Sequence, residues 1–346
     1  MLKRESAGVS RKAAPCAATV RKHRLAVVVF IAMLIVLAAA LFKPWIHGTD
    51  GTRNYAYLRS VLIDGDLHFQ NEFEHYAREG EYQGAVTPDS PSGHISTPVG
   101  SGSAVLWSPF VLVAHGAALV GPWEADGYSA PYVYGVSLGS LFYGILGLAL
   151  LYAILLQRFG IAPASIASAA ILFGSPLWFY LYLHPSMSHA CSFFLCTLMV
   201  WEYEKWREHP RLYHFALMGL TCGLAMATRF NNGVFLLLAA GFLIRAGREQ
   251  KVQGNERFWS FLAIGGALMG LGLIVGFAPQ AVSWKILHGS FLSGPQDAGA
   301  DLTQTFTLWK SPHALQILFS GRHGLFVWTP VLFVAMAGWV WLFIKG

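Results

Sequence analysis

The densest group of charged and polar residues beside an apolar segment lies in residues 48–66. It contains Asp50 and, further on, the acidic pair Asp64 and Asp66. Because the apolar segment 25–42 comes shortly before it, Asp50 is expected at the edge of a bilayer, within reach of a lipid head group. A carboxylate in such a position can accept a proton from a nucleophile. Asp is also a common helix N-cap, where it binds free backbone N–H groups, and the sequence leaves both roles open.

Two arginines lie near the ends of other apolar segments. Arg229 lies in the run Thr-Arg-Phe-Asn-Asn, and Arg322 with His323 lies between two glycines in Ser-Gly-Arg-His-Gly. Guanidinium groups bind phosphate oxygens through paired, charge-assisted hydrogen bonds, and flanking glycines let a phosphate approach the backbone. The alternative is that these side chains only reach out to the membrane interface. We interpret Arg229, Arg322 and His323 as candidate contacts to a lipid phosphate.

Other polar side chains are accessory candidates. Asp64 and Asp66 flank Gly65 and are typical of a turn, and His184 and His189 lie on either side of a proline turn where they could line a cavity. Acids near residues 64–75 could hold a divalent cation through oxygen ligands, but no spacing requires one. We therefore predict that no cofactor is required and name no metal ligand, and the sequence leaves a divalent cation open without supporting one.

The composition indicates an integral membrane protein. Of the 346 residues 55% are hydrophobic and only 12% are charged, whereas soluble domains average about 25% charged. Basic residues are concentrated in the tail 1–24, which places the N-terminus in the cytoplasm by the positive-inside rule. This distribution argues against a nucleic-acid partner.

Apolar segments and loop charges predict an all-α polytopic domain over residues 25–346, with about eight transmembrane helices. A first external loop over 43–131 should carry an amphipathic surface helix at 51–63 and a re-entrant or interfacial helix at 103–121, kinked at Pro109. A second external loop is expected at 282–324. The predicted spans are 25–42, 132–156, 163–183, 187–201, 212–229, 232–244, 258–281 and 325–344.

The order Asp50, Tyr55, Arg59 and Gly65-Asp66 after the first span resembles the first-loop signature of polytopic GT-C glycosyltransferases. The nearest likeness is to the protein O-mannosyltransferase and aminoarabinose-transferase branch, in loop order as well as in motifs. This chain departs from the pattern because Gly51 follows Asp50 where many members carry two adjacent acids. The departure implies a mechanism with a single carboxylate.

The resemblance implies a GT-C-like core in a bacterial inner (plasma) membrane, with the active site on the external side. Asp50 would be the general base of an inverting sugar transfer from a polyprenyl-phosphate donor to a lipid, glycan or protein acceptor. Arg229 and Arg322 would bind the departing phosphate, and Arg59 would either contact substrate or orient the loop helix by pairing with an acid. Membrane lipids would be the other partners.

Two other classes of function remain open. A transporter or flippase of a lipid-linked substrate should show internal repeats and broken helices near the middle of the membrane, and the sequence shows neither. A non-catalytic membrane assembly protein on the same fold is compatible with the single carboxylate at Asp50.

Overall fold

The computed structural model describes residues 17–88, 90, 92–208, 211–252, 258–292, 314–322 and 324–345. Within these ranges the chain forms helices and loops without strands, which confirms the predicted all-α polytopic class. The helices are α1 (Ala17–Leu41), α2 (Gly48–Arg59), α3 (Gln70–Arg78), α4 (Gly102–Val120), α5 (Ala130–Phe159), α6 (Ile161–Phe173), α7 (His189–Glu208), α8 (Tyr213–Thr228), α9 (Leu236–Val252), α10 (Phe258–His288), α11 (Ala314–Phe319), α12 (Leu325–Trp328) and α13 (Val331–Lys345).

Five of the described helical segments are long and apolar enough to cross a membrane. They are Val20–Leu41, Gly102–Val120, Ala130–Phe159, Phe230–Arg248 and Trp259–His288, and α6, α8 and α13 are shorter apolar helices. The predicted span 163–183 is divided, because α6 ends at Phe173 and a π-helical turn follows at Phe179–Leu183. The predicted span 325–344 is likewise divided into α12 and α13.

The long helix α5 positions two neighbours through its small residues. Near the start of α5, a Cβ added at Gly135 or Gly139 would meet residues of α4. Further along α5, Gly144 lies against Leu181 and Ala190, and Gly147 lies against Phe193 and Phe194 of α7. The Trp107 indole of α4 donates a hydrogen bond of 2.8 Å to the Ser140 hydroxyl. Helix α4 therefore lies along the first half of α5 and α7 along the second half.

Helices α8 and α10 pack backbone to backbone. Gly219 and Gly223 on α8 face Gly272 and Gly276 on α10, and a Cβ at any of the four would collide with backbone atoms of the facing helix. Paired small residues four apart are the usual means of close helix approach in membranes. This contact fixes the end of α8, where Arg229 follows.

The predicted surface helix at 51–63 forms, but its surroundings differ from the prediction. It consists of α2 and a π-helical turn at Ser60–Asp64. The residues from Asn54 to Ser60 are all buried, because α2 packs against α3, α4 and the loop around Gly127. The helical spacing of the apolar residues in 51–63 indicated one apolar face. It could not show that contacts with α3 and α4 cover the polar faces as well.

The other loop predictions have mixed outcomes. The described residues between 80 and 101 are irregular, and Pro109 lies inside α4. Helix α10 extends to His288, beyond the predicted span end at 281. Of the predicted second external loop, the stretch 293–313 lies outside the described residues, as do 1–16 of the predicted basic tail.

Replacing Gly276 tests the α8–α10 contact. Gly276→Ala should lower the melting temperature of the purified protein in detergent, because the new methyl group meets the backbone of Leu220. Gly270→Ala on the same helix is the matched control, since a Cβ there meets nothing within 4 Å, and helical Gly→Ala changes at open positions stabilise by about 0.4–1 kcal/mol. Equal melting temperatures for the two variants would contradict the proposed packing.

Candidate active site

Asp50 lies in the first turn of α2. The helix begins at Gly48, and His47 is the N-cap residue with an extended backbone (φ −133°, ψ 141°) and no side-chain cap hydrogen bond. The N-cap role considered for Asp50 is therefore wrong, because the helix begins two residues earlier. The Asp50 carboxylate is 53% exposed and lies 3.7 Å from the Arg53 guanidinium, so that it faces solvent with a cation beside it.

The start of α2 is held by the turn that precedes α7. The His47 N–H donates to the Ser186 hydroxyl (3.2 Å), and the Gly48 N–H donates to the Glu81 carboxylate (3.3 Å), which also forms an ion pair with the His47 imidazole. Gly51 packs so closely that a Cβ would lie 2.5 Å from the Ser186 hydroxyl oxygen. A second acid at position 51 would displace the Ser186 side chain and with it the hydrogen bond from His47, which gives a structural reason for the single carboxylate.

Arg229 lies where the chain leaves α8. Its backbone is extended (φ −150°, ψ 122°), and a 3-10 helix at Phe230–Phe235 leads into α9. The Arg229 guanidinium donates to the Ser188 hydroxyl (3.1 Å) and lies 3.4 Å from Nδ1 of His189. His189 in turn stacks on Tyr180, with 3.6 Å between ring centroids.

Asn232 stabilises this break between helices. Its side-chain amide donates to the Ala225 carbonyl (2.8 Å) and to the Ser192 hydroxyl (2.9 Å). The Ala225 carbonyl also accepts the Arg229 N–H (3.0 Å), so Asn232 adds a second hydrogen bond at the end of α8 and joins it to Ser192 of α7. Arg229 is therefore held by α7 and by the α8–α9 connection together.

Asp50 and Arg229 line one cavity of about 270 Å³. Its other lining residues are Pro98, Val99, Gly100, Ser188, Thr228, Phe230 and Asn231. The volume is near the lower end of ligand-binding pockets, about 300–1,000 Å³. The fold thus brings together a carboxylate and a guanidinium that are far apart in sequence.

Arg59 is buried in an ionic network away from this cavity. Its guanidinium donates to Glu72 (2.9 Å) and Asp64 (2.5 Å), and its Nε donates to the Asp126 carbonyl (3.1 Å). The guanidinium also lies 4.1 Å from the centroid of the Tyr128 ring. This geometry matches the loop-orienting role rather than contact with substrate.

The remaining predicted site residues lie elsewhere. Asp66 accepts hydrogen bonds from the Ser60 hydroxyl and the His68 N–H, and His184 packs edge-on to His47, with 4.8 Å between centroids. Arg322 is exposed and is not among the residues that line the cavity. His323 lies outside the described residues.

Several side chains that contact Asp50, Arg229 or the segments next to them were not among the predicted site residues. Arg53 follows Asp50 at the i,i+3 spacing that brings helix side chains together, and this spacing could have indicated it. Ser186, Ser188 and Asn232 gave no such signal, because their contacts depend on tertiary packing.

No group of three or more His, Cys, Asp or Glu side chains is arranged to hold a metal ion in the part of the chain that the structure describes. The Asp50 cavity therefore offers charge and hydrogen bonds, namely a carboxylate that can accept a proton and an arginine that can bind an anion.

The fold and its apolar helices define an integral membrane protein, and comparison with known proteins specifies its class further. Residues 133–278 match the family model for dolichyl-phosphate-mannose-protein mannosyltransferase. This segment, which runs from α5 through most of α10, is similar to a GT-C superfamily domain, and the match confirms the predicted resemblance. The match supports a membrane glycosyltransferase of mannosyltransferase type.

The matched segment contains Arg229 but not Asp50. No curated protein and no solved structure gives a significant match to the chain. The role of Asp50 therefore depends on the local geometry and on the first-loop resemblance.

The contact between Gly51 and Ser186 can be tested by paired substitutions. Gly51→Ala should displace the first turn of α2 and lower the melting temperature, because the new Cβ meets the Ser186 hydroxyl. Adding Ser186→Gly should restore part of the loss by removing that side chain. Melting curves for the two single variants and the double variant measure this effect, and a double variant no more stable than the two single changes together predict would contradict the contact.

The Arg59 network predicts a pH-dependent loss of stability. Burial raises the pKa of Glu72 to about 7, although the hydrogen bond from Arg59 lowers it. Arg59→Met leaves Glu72 without its cation and should cost about 3–5 kcal/mol in the free energy of unfolding. Without Arg59 the pKa of Glu72 in the folded protein rises further, so the loss should grow as the pH rises through about 7, where Glu72 ionises beside Arg59 in the unchanged protein.

Chemical unfolding in detergent at acidic and alkaline pH would measure this effect. The matched control is Arg78→Met on α3, where the exposed arginine bonds only a backbone carbonyl among its described contacts. The control should change the free energy by no more than about 0.5 kcal/mol. An equally small effect of Arg59→Met would show that the network does not hold the loop.

Proposed function

We propose that the protein transfers a sugar from a polyprenyl-phosphate donor to an acceptor on the external side of the membrane. The observation that carries the proposal is the shared cavity of Asp50 and Arg229. A transfer of this kind needs a base for the acceptor and a cation for the leaving phosphate, and the cavity contains one of each.

In the proposed reaction, Asp50 accepts the proton of an acceptor hydroxyl or amine. The acceptor atom then bonds to the anomeric carbon from the face opposite the phosphate, and the bond between that carbon and the phosphate oxygen breaks. The oxygen keeps the bonding electron pair and leaves as part of polyprenyl phosphate. Attack from the opposite face inverts the anomeric configuration.

Arg229 stabilises the leaving phosphate in this proposal. Charge-assisted hydrogen bonds are most effective when the donor is already oriented before charge develops. Ser188, His189 and the α8–α9 connection supply that orientation for the Arg229 side chain. The Arg53 guanidinium lies 3.7 Å from the Asp50 carboxylate and stabilises its charge.

Arg322 and His323 remain predictions as further phosphate contacts. Their chain segment follows residues outside the described part, and the cavity geometry does not depend on them. The bacterial inner membrane and the external orientation are part of the proposal as well, supported by the basic N-terminal tail.

Transfer assays with Asp50→Asn test the proposal. Membranes that contain the protein would receive polyprenyl-phosphate mannose labelled in the sugar, and the label transferred from the lipid phosphate to the acceptor would be measured. Loss of the general base should lower the rate by about 10²–10⁴-fold, and Arg229→Gln should lower it by about 10²–10³-fold. The control Glu124→Gln changes an exposed acid on the loop before α5 and should leave the rate unchanged.

Three outcomes separate the candidate functions. Transfer that persists at the wild-type rate in Asp50→Asn would overturn the catalytic assignment. Movement of the intact labelled lipid across vesicles without transfer would favour a transporter. Absence of both in the wild-type protein, across several labelled sugars, would favour an assembly protein.

A further inference from the structure

A second and larger cavity lies between α2, α4 and α10. This groove has a volume of about 800 Å³, which is within the range of ligand-binding pockets, about 300–1,000 Å³. Its walls are mainly aliphatic, with Val61 after α2, Val105 on α4, and Val275 and Val282 on α10. These four side chains are between 38% and 57% exposed, so that the groove presents apolar surface along helices that are apolar enough to cross a membrane.

The backbone of residues 99–101 separates the groove from the Asp50 cavity. Val99 and Gly100 line the Asp50 cavity, whereas the next residue, Ser101, lines the groove. The Ser101 N–H donates to the Gln280 side chain (2.6 Å), and the Tyr57 hydroxyl donates to the Val99 carbonyl (3.3 Å). Because these two hydrogen bonds hold residues 99–101 between the two cavities, the groove is a site separate from the Asp50 cavity.

The polar rim of the groove consists of Asp66, His68 and His94. The two imidazoles stack with 4.1 Å between centroids. Asp66 Oδ1 accepts hydrogen bonds from the Ser60 hydroxyl (2.7 Å) and the His68 N–H (3.0 Å). The carboxylate is therefore fixed in position at the mouth of an apolar groove.

The charge of the rim limits which head group it suits. Burial, together with neighbouring His68, lowers the pKa of His94. For Asp66, burial raises the pKa but the hydrogen bonds from His68 and Ser60 outweigh it, and the net shift is downward. At neutral pH the rim thus carries a carboxylate beside an uncharged His94, and no Lys or Arg is among the described residues that line the groove.

Such a rim is unsuited to a phosphate, which proteins bind with Arg, Lys or backbone N–H groups. The Asp66 carboxylate and the two imidazoles instead offer acceptors and donors for hydroxyl groups. We propose that the groove binds the hydrocarbon chain of a membrane amphiphile whose head group is uncharged and carries hydroxyl groups. The ligand therefore differs in charge from the polyprenyl phosphate of the proposed reaction.

Competitive lipid binding tests this site without any transfer assay. The purified full chain would be incubated in detergent with equal amounts of monoglucosyl diacylglycerol and phosphatidylglycerol with the same acyl chains. Native mass spectrometry would then count the lipids retained. We expect a preference of roughly tenfold for the glycolipid, which corresponds to about 1.4 kcal/mol.

Two valines on α4 give a matched pair of variants. Val105→Trp should fill the groove and abolish the preference, whereas Val113→Trp should not, because Val113 is 75% exposed and is not a lining residue. Asp66→Lys tests the rim independently of the walls and should shift the preference toward phosphatidylglycerol.

Equal retention of the two lipids by the wild-type protein would overturn the proposal, as would preference for phosphatidylglycerol. An unchanged preference in both Val105→Trp and Asp66→Lys would also overturn it. If Val105→Trp fails to fold, as judged by its melting curve, Asp66→Lys on the exposed rim still decides the question.

Discussion

The close contact between the first turn of α2 and the turn before α7 is the constraint on which the rest of the site depends. Gly51 lies against Ser186, and the backbone N–H groups of His47 and Gly48 bond to Ser186 and Glu81. This contact fixes a carboxylate from the first loop beside an arginine from the end of α8. Without it Asp50 would lose its place in the cavity that it shares with Arg229.

The membrane helices provide the other half of the site through small residues. Glycines let α8 approach α10 at backbone distance, and other glycines seat α4 and α7 along α5. In a lipid environment, such close packing replaces the hydrophobic effect as the main source of helix association. The helix ends are thereby held firmly enough for Ser188 and Asn232 to orient Arg229 and the α8–α9 connection.

Much of this architecture could be predicted from the sequence, and the reasons for the misses are physical. Apolar runs and loop charges indicated the all-α membrane class, and the order of Asp50, Tyr55 and Arg59 indicated the GT-C resemblance. Helical spacing could not show that α2 is buried on several sides, since that depends on α3 and α4. The contact of Arg59 with Asp126 and the cavity shared by Asp50 and Arg229 join residues distant in sequence, which local patterns do not encode.

The most direct measurement of the central claim is cross-linking between positions 50 and 229 in intact cells. Asp50→Cys and Arg229→Cys would be introduced after replacing the four native cysteines, and a short, membrane-impermeant reagent that joins two thiols would be added outside. We expect a cross-link between positions 50 and 229 of the same chain, detected by mass spectrometry of the digested protein. A cross-link that forms only after the cells are permeabilised, or does not form at all, would contradict it.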